Sequence, residues 1–308
     1  MIRYLLALFL LPAIAFGQVD LRQDGGIQII ESGQAISLGD GIKFTVPNYD
    51  SDAQIYFATA GVTDPVAKKQ ISDFAKGVKA LGLWNNMVCW MLRSSQNAGT
   101  GTTAYSLGGL GTYNGTIVNG PSWGADGMGF VSASSQYITL LEMLSDGDSF
   151  SMFVVGKYAN SSAANLTLLS NGSGTIPRGV LLGASGNSVT TPRNISWDKV
   201  GSYSGSPVMG SATDNLWFTS ASASNASNIT FYQNNVSLGG FSGDYRMSGN
   251  TGPNPAIGAW QNNISSLTSY FNGSISMAAV FKIALSGSQF TAINILYKST
   301  IGTGLSLP

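Results

Sequence analysis

The side chains that most enzymes use for acid–base or nucleophilic catalysis are scarce in this sequence. It contains no histidine, one cysteine (Cys89) and two glutamates, Glu31 and Glu142. A Ser-His-Asp or Cys-His mechanism is therefore excluded, as is a zinc site built on histidine or on several cysteines. Retaining glycosidases need two carboxyl groups about 5 Å apart, and the two glutamates lie in different segments. We predict that the protein is not an enzyme, with an all-aspartate mechanism left open.

Two aspartates have the spacing of a small cation site. Asp146 and Asp148 flank a glycine just before an apolar stretch. Calcium prefers carboxylate and carbonyl oxygens as ligands, so the sequence predicts a calcium site that uses these two side chains. The alternative is an ordinary Asp-Gly turn before a strand that begins near Ser149.

Several aromatic residues lie in or beside segments rich in Gly, Ser and Asn. An aromatic ring flanked by amide and carboxylate side chains is typical of sugar recognition. We therefore predict that these segments bind a glycan or a cell-surface polysaccharide. The candidate ligand-binding residues are Trp197, Tyr203, Tyr245, Trp260 and Asn263. For each ring, the alternative is packing beneath its own loop.

The charge of the chain is low. Charged residues make up 10% of the sequence and the formal net charge is zero, whereas soluble domains average roughly 25% charged residues. Without a basic surface, no nucleic-acid partner is expected. Gly, Ser, Asn and Thr are abundant instead, which is typical of short strands joined by many turns.

The N-terminus has the pattern of a secretory signal peptide, assigned here to residues 1–17. Arg3 precedes an apolar run at residues 5–14, and the small residues Ala15 and Gly17 follow. Cleavage after Gly17 is expected, and an uncleaved anchor is the alternative. No later stretch is long and apolar enough to span a membrane, so no membrane association is expected after cleavage.

The residues before the main domain divide into two parts. Residues 18–48 contain short apolar runs between glycine turns, which predicts a small β segment that packs on something else or pairs with another chain. Residues 49–84 predict a helical connector, because Asp64 is a natural N-cap and Pro65 suits the first helical position.

One face of the predicted helix is apolar, with Ile71, Phe74, Val78 and Leu81. The other face carries Lys68, Lys69, Lys76 and Lys79, interpreted as a solvated surface rather than a patch for an anionic partner.

Residues 85–308 have β patterns almost throughout. Residues 150–158 are apolar on both faces, which predicts a central strand covered on both sides. Residues 270–281 alternate as a strand, and Ser286 with Gln289 has the spacing of a helix-capping box. Other strands are predicted at residues 128–131, 137–140, 166–169, 180–183, 216–220, 229–233 and 256–260. Many short strands with regular turns predict an antiparallel sandwich or barrel.

Three pieces of this region together resemble the laminin-G-like, concanavalin A-like lectin/glucanase superfamily. Residues 127–140 are similar to its opening strand pair, residues 149–158 and 229–236 to its strand and Asn-turn hairpin, and residues 270–290 to its closing strand and helix. The resemblance implies a mainly β, concanavalin A-like antiparallel β-sandwich (jelly roll) with a rim that often binds calcium. Where that family often has an acidic residue after the isoleucine of the closing strand, this chain has Ser276 and Met277.

A second resemblance covers the residues before the sandwich. Residues 49–53, 71–84 and 93–99 are similar to a segment that precedes lectin-like domains in phage structural and tail-associated proteins. This resemblance implies a role in a virion or in surface display. The signal peptide departs from that pattern and favours a secreted or cell-surface protein.

Three functions follow from these features. The first is a non-enzymatic glycan- or surface-binding protein, exported or displayed on a virion. The second is a purely structural or decorating subunit of a virion, appendage or surface layer, which forms a homo-oligomer or assembly through residues 18–84. The third is a glycan-cleaving enzyme.

Overall fold

The computed structural model forms two compact units, residues 1–50 and residues 51–308. It describes residues 17–21, 27–31, 35–38, 42–45, 48–145, 148–159, 165–171, 180–185, 193–194, 196–197, 202–203, 217–225, 227–242, 255–263 and 266–308. The boundary between the units falls before the helices. The structure therefore groups the helices with the sandwich, whereas the sequence interpretation treats residues 49–84 as a separate connector.

The first unit contains two antiparallel hairpins. Strand β1 (Gly17–Leu21) pairs with β2 (Ile27–Glu31), and β3 (Ala35–Leu38) pairs with β4 (Ile42–Thr45). Strands β2 to β4 match the apolar runs identified in the sequence, and β1 was not predicted. Among the described residues each hairpin forms a two-stranded sheet. Such a sheet is only marginally stable in water unless something packs on it.

The second unit opens with two helices whose ends are set by local sequence. Helix α1 is Ser51–Ala60 and helix α2 is Pro65–Ala80. The predicted cap is confirmed, because the Asp64 carboxylate accepts a hydrogen bond from the Val66 amide at 3.0 Å. Leu81 is the correction to the predicted apolar stripe, since it is 40% exposed. It is the C-cap residue, so its side chain lies past the last turn of the helix.

The lysines of α2 interact with neighbouring side chains. Lys69 pairs with Asp73 at 2.5 Å, and Lys79 pairs with Asp52 of α1 at 2.6 Å. The Lys79 ammonium also lies 4.8 Å from the Trp84 ring centroid. These exposed pairs contribute little stability each. They fit a solvated helix face better than a patch reserved for an anionic partner.

In the described part of the chain, the remaining elements are strands, one α-helix and two short 3-10 helices, Trp84–Asn86 and Ser132–Ser134. The strands are β5 (Met87–Met91), β6 (Thr103–Ala104), β7 (Gly115–Val118), β8 (Ser122–Trp123), β9 (Met128–Phe130), β10 (Tyr137–Thr139), β11 (Phe150–Tyr158), β12 (Asn165–Asn171), β13 (Val180–Ser185), β14 (Arg193–Asn194), β15 (Ser196–Trp197), β16 (Ser202–Tyr203), β17 (Phe218–Ser224), β18 (Asn228–Gln233), β19 (Val236–Ser242), β20 (Ala256–Ile257), β21 (Trp260–Asn263), β22 (Ser266–Thr268) and β23 (Gly273–Phe281). Helix α3 is Gly287–Ser299, and its predicted capping box between Ser286 and Gln289 is confirmed.

Two antiparallel sheets form the sandwich. In the described part of the chain, one has seven strands in the order β14-β13-β12-β20-β10-β7-β6. The other has eight, in the order β19-β18-β17-β11-β23-β9-β8, with β5 also paired to β23. Side chains from both sheets share one apolar core, including Ile138, Leu168 and Ile257 from the first and Met152 and Ile275 from the second. The predicted mainly β, antiparallel sandwich is confirmed.

One predicted strand is wrong in its extent. Residues 256–260 were expected to form a single strand. Instead, β20 ends at Ile257 and Trp260 begins β21, which pairs with β22 outside the main sheets. Gly258 separates them with φ of 82°. A left-handed residue at that point turns the chain out of the sheet.

The eight-stranded sheet is covered on both faces. Its outer face packs against helix α3, since the Phe153 ring of β11 lies 6.4 Å from the Tyr297 ring of α3. The Tyr297 hydroxyl donates to Ser276 Oγ at 2.7 Å. All residues of β11 are buried except the half-buried Lys157. The predicted central strand is therefore confirmed, and the unit has three layers: helices, eight-stranded sheet and seven-stranded sheet.

The loop after β5 ties distant parts of this unit together through side-chain amides and one guanidinium. Arg93 donates from Nε to the Ala125 carbonyl at 2.8 Å and from Nη1 to the Ile301 carbonyl at 2.9 Å. Asn97 is 2% exposed and bonds to the backbone on both sides of the loop. The segment at residues 93–99 therefore has a clear structural role, which needs no partner to explain it.

Cys89 leads to a prediction about stability at alkaline pH. Burial raises the pKa of its thiol to about 12, whereas the thiol of an unfolded cysteine has a pKa of about 8.5. The unfolded chain therefore loses this proton first. The free energy of unfolding should fall by up to about 1.4 kcal/mol per pH unit as the pH rises from about 9 to 12.

The matched variant is Cys89→Ala, compared with the wild type by urea denaturation in reductant. Its free energy of unfolding should differ by a constant amount below pH 8 and should fall less steeply above pH 9. The buried tyrosines Tyr158 and Tyr297, whose pKa values burial also raises, are common to both proteins. If the free energies of unfolding of the two proteins fall in parallel up to pH 11, this account of Cys89 is contradicted.

Candidate functional site

Four of the five ligand-binding residues predicted from the sequence fall in two separate hairpins. Trp197 and Tyr203 belong to the hairpin β15–β16, in which Trp197 lies opposite Ser202. Trp260 and Asn263 belong to β21, paired with β22. Tyr245 lies outside the described residues. The predicted ligand-binding role of Trp197, Tyr203, Tyr245 and Asn263 therefore stays a prediction.

Trp260 does not present the exposed ring that the sequence interpretation required. Its side chain is 5% exposed. Stacking on a sugar needs a ring face that is open to solvent, so packing is the role that this burial supports. Trp217 is also buried, at 6%.

The predicted calcium ligand Asp148 is engaged by protein groups. Its Oδ2 accepts a hydrogen bond from the Ser145 amide at 2.6 Å and lies 3.0 Å from the Lys282 ammonium. The Asp148 carboxylate therefore already has an amide donor and an ammonium ion as partners. Asp146 lies outside the described residues. Within the described residues, no cluster of three or more His, Cys, Asp or Glu side chains could hold a metal ion.

A pair of tyrosines that the sequence did not single out forms a partly exposed aromatic surface. The rings of Tyr137, at the start of β10, and Tyr270, just before β23, lie 6.1 Å apart and are tilted by 39°. Both side chains are partly exposed. We refer to these two residues as the tyrosine pair. Aromatic faces with hydroxyl groups at their edge have the chemistry expected of a sugar-binding surface.

The Gln136 side chain positions the first ring. Its Oε1 accepts the Val131 amide at 2.7 Å, and its Nε2 donates to the carbonyls of Asn119 and Gly120 at 3.1 Å each. The Gln136 amide therefore joins the loop that ends just before Tyr137 to the loop at Asn119 and Gly120. Strand pairing fixes the residue from both sides, since β10 lies between β7 and β20.

The second ring is positioned by a buried neighbour. Phe271 is fully buried, with its ring 6.1 Å from Phe130 and 5.3 Å from Tyr158. Its amide donates to the Gly258 carbonyl at 2.8 Å. Tyr270 therefore precedes a residue that is anchored in the core. A ring held in place before binding loses less conformational entropy when a ligand arrives.

One hydroxyl of the tyrosine pair is held in its neutral form. Partial burial, and secondarily the neighbouring Tyr270, raise the pKa of Tyr137. The Tyr137 phenol therefore remains protonated at neutral pH, where its hydroxyl can donate and accept hydrogen bonds. A neutral phenol supplies binding contacts rather than a catalytic acid or base for neutral conditions.

Local sequence patterns hold only part of the signal for this pair. Each tyrosine precedes a fully buried apolar residue, Ile138 or Phe271, and in extended backbone successive side chains point to opposite sides. That pattern indicates an outward ring at each position. It does not show that the two rings meet, because their contact depends on how the strands are ordered in the sheets.

Comparison with known proteins gives structural overlap only. No family model matches the sequence, and no curated protein matches it. The chain is similar over 48% of its length to 84% of the CBM40 of a Ruminococcus gnavus IT-sialidase bound to α2,6 sialyllactose, with 19% identity and a TM-score of 0.39. It is similar over 67% of its length to 87% of domain 4 of AbnA, a GH43 extracellular arabinanase from Geobacillus stearothermophilus in complex with arabinotriose, with 20% identity and a TM-score of 0.39.

A third overlap is with a larger protein. The chain is similar over 76% of its length to 39% of a mutant Trypanosoma rangeli sialidase that displays trans-sialidase activity, with 11% identity and a TM-score of 0.48. With TM-scores below 0.5, these overlaps do not assign a function to the chain. Its own geometry defines it as a β-sandwich that carries a partly exposed aromatic surface. In the described residues, no helix is long and apolar enough to cross a membrane.

Proposed function

We propose that this chain is a non-enzymatic glycan-binding protein that is exported, or displayed on a cell surface or virion, and that the tyrosine pair contacts the glycan. The observation that carries the proposal is the 6.1 Å pair of partly exposed rings. Both rings lie on backbone that is held by core packing or by the Gln136 amide. A glycan or a cell-surface polysaccharide is the partner that this chemistry fits.

Truncating either ring should weaken glycan binding by about 10- to 30-fold, as expected when an aromatic anchor of an interface is removed. The measurement is binding of the full chain to an array of neutral and acidic glycans, followed by calorimetry on the best binder. The variants are Tyr137→Ala and Tyr270→Ala. Tyr270→Phe should retain most of the affinity if the ring face makes the contact.

Tyr105→Ala is the matched control, because Tyr105 is also partly exposed and its described polar contacts are made by its backbone. It should bind as the wild type does. The proposal is wrong if the array shows no binding, or if all three alanine variants bind equally well.

A second function rests on the N-terminal unit. Its two hairpins are two-stranded sheets in the described residues, and such sheets usually need a partner for stability. A structural or decorating subunit that assembles through residues 18–84 would supply one from a neighbouring copy. Regular oligomers of the purified chain that disappear when residues 18–45 are deleted would favour this function, and a monomeric full chain would exclude it.

An enzymatic role is the least supported of the three. Glu142 is exposed, and its neighbour Asp146 lies outside the described residues. Turnover of a polysaccharide that is lost in Glu142→Gln would be needed to establish it.

A further inference from the structure

We propose that the tyrosine pair binds a neutral glycan, and not one that carries carboxylate or sulfate groups. This inference rests on the proposed glycan-binding function and narrows it to a class of ligand. It depends on where the described cations make their contacts, and on which polar groups lie beside the pair.

An anionic sugar is normally held by arginine or lysine, which form charge-assisted hydrogen bonds to its acidic group. Three cations of the sandwich, among the residues whose side chains are described, are engaged by other groups. The Arg93 guanidinium donates to three backbone carbonyls, and Lys282 pairs with Asp148. The Lys157 ammonium lies 5.9 Å from the centroid of the Trp217 ring.

The electrostatics of the pair agree with this assignment. A nearby cation would stabilise a phenolate and lower the pKa of the tyrosine. The pKa of Tyr137 instead lies above its usual value, because of partial burial and its neighbour Tyr270. Among the described residues, no cation contributes to the environment of this hydroxyl.

The polar groups beside the pair also lack a strong anion-binding arrangement. The Gln136 amide is used by three backbone groups of the adjoining loops. The Asn119 side chain donates to the Ser135 carbonyl at 2.8 Å. What remains at the surface is two ring faces and two phenolic hydroxyls, which match the C–H faces and hydroxyl groups of an uncharged sugar.

The test measures binding of the full chain to four probes by calorimetry. Arabinotriose and maltohexaose are the neutral probes, and sialyllactose and an oligogalacturonate are the acidic ones. A neutral probe should bind, and its affinity should change less than about twofold between about 20 mM and about 500 mM NaCl, because no ion pair is screened. Tyr270→Ala should weaken that binding at least tenfold, and Tyr105→Ala should leave it unchanged.

The outcomes separate the two proposals. If only the acidic probes bind, and Tyr270→Ala weakens them, the tyrosine pair is a glycan site and the neutral assignment is overturned. A drop in affinity of more than tenfold at high salt also overturns it. If neither these probes nor the glycan array bind the chain, the proposed function fails and the assignment of a ligand class fails with it.

Discussion

Replacing Gly273 by alanine is expected to destabilise the sandwich by roughly 3 kcal/mol or more, the range of substitutions that force backbone strain and steric overlap together. Gly273 has φ of 148°, and a Cβ built there would lie 2.2 Å from the Lys157 carbonyl oxygen and 2.9 Å from the Ala159 amide nitrogen. Both contacts are with backbone atoms of the strand next to β23 and its continuation. Neither can move aside without breaking the pairing of Tyr158 with Gly273.

The same substitution should also weaken glycan binding in the fraction that remains folded. Gly273 is three residues after Tyr270, at the point where the segment that carries the ring enters β23. A shift of the backbone here moves Phe271 and with it the ring before it. Urea denaturation gives the free energy of unfolding, and calorimetry on the folded protein gives the affinity.

Gly239 provides the matched control. It also has a positive φ, 107°, but no atom lies within 4 Å of the position of an added Cβ. Gly239→Ala should therefore show the conformational strain alone, about 1 kcal/mol, with glycan binding unchanged. If the two variants lose equal stability, the close approach of backbone atoms at Gly273 does not account for the cost of its substitution.

Asn97→Ala is expected to lower the free energy of unfolding by about 3 kcal/mol, because each buried polar group left without a partner costs about 1–3 kcal/mol. The Asn97 amide donates to the Met91 carbonyl at 2.8 Å and the Tyr105 carbonyl at 2.9 Å. Its Oδ1 accepts the amides of Ala98 at 2.8 Å and Tyr105 at 3.1 Å. The substitution removes all four bonds at a site that is 2% exposed.

Asn225→Ala tests whether burial is the deciding factor. Asn225 Oδ1 also accepts backbone amides, from Asn228 at 2.9 Å and Ser227 at 3.3 Å, but it lies on the surface, where water replaces a lost partner. Its loss of stability should be below about 1 kcal/mol. If Asn97→Ala costs no more than Asn225→Ala in urea denaturation, the buried amide does not hold the loop after β5.

Features that depend on short-range sequence were predicted well. The Asp64–Pro65 start of α2 and the Ser286–Gln289 capping box are set by residues within a few positions of one another. Strand β11 was recognisable because its apolar residues occupy both faces. Strand β5 has the same character, since all of its residues are buried. It is not among the strands predicted from the sequence.

Features that depend on contacts between distant segments were not predictable in the same way. The tyrosine pair forms only because β10 and the start of β23 reach neighbouring places in different sheets. Trp260 was a candidate ligand-binding residue because its neighbours are small and polar, with packing beneath its loop as the alternative, and its side chain is buried. Composition reports which residues are neighbours in the sequence, whereas burial depends on which residues are neighbours in the folded structure.

The pairing of β23 has a consequence for how the protein is made. This strand pairs along its length with β11, with β9 at its first residues and with β5 at its last. Strands β5, β9 and β11 are translated long before their shared partner, so the eight-stranded sheet cannot close until residues 273–281 have left the ribosome. Contacts between such distant segments are characteristic of slow folding. A nascent chain of this kind stays open through most of its synthesis.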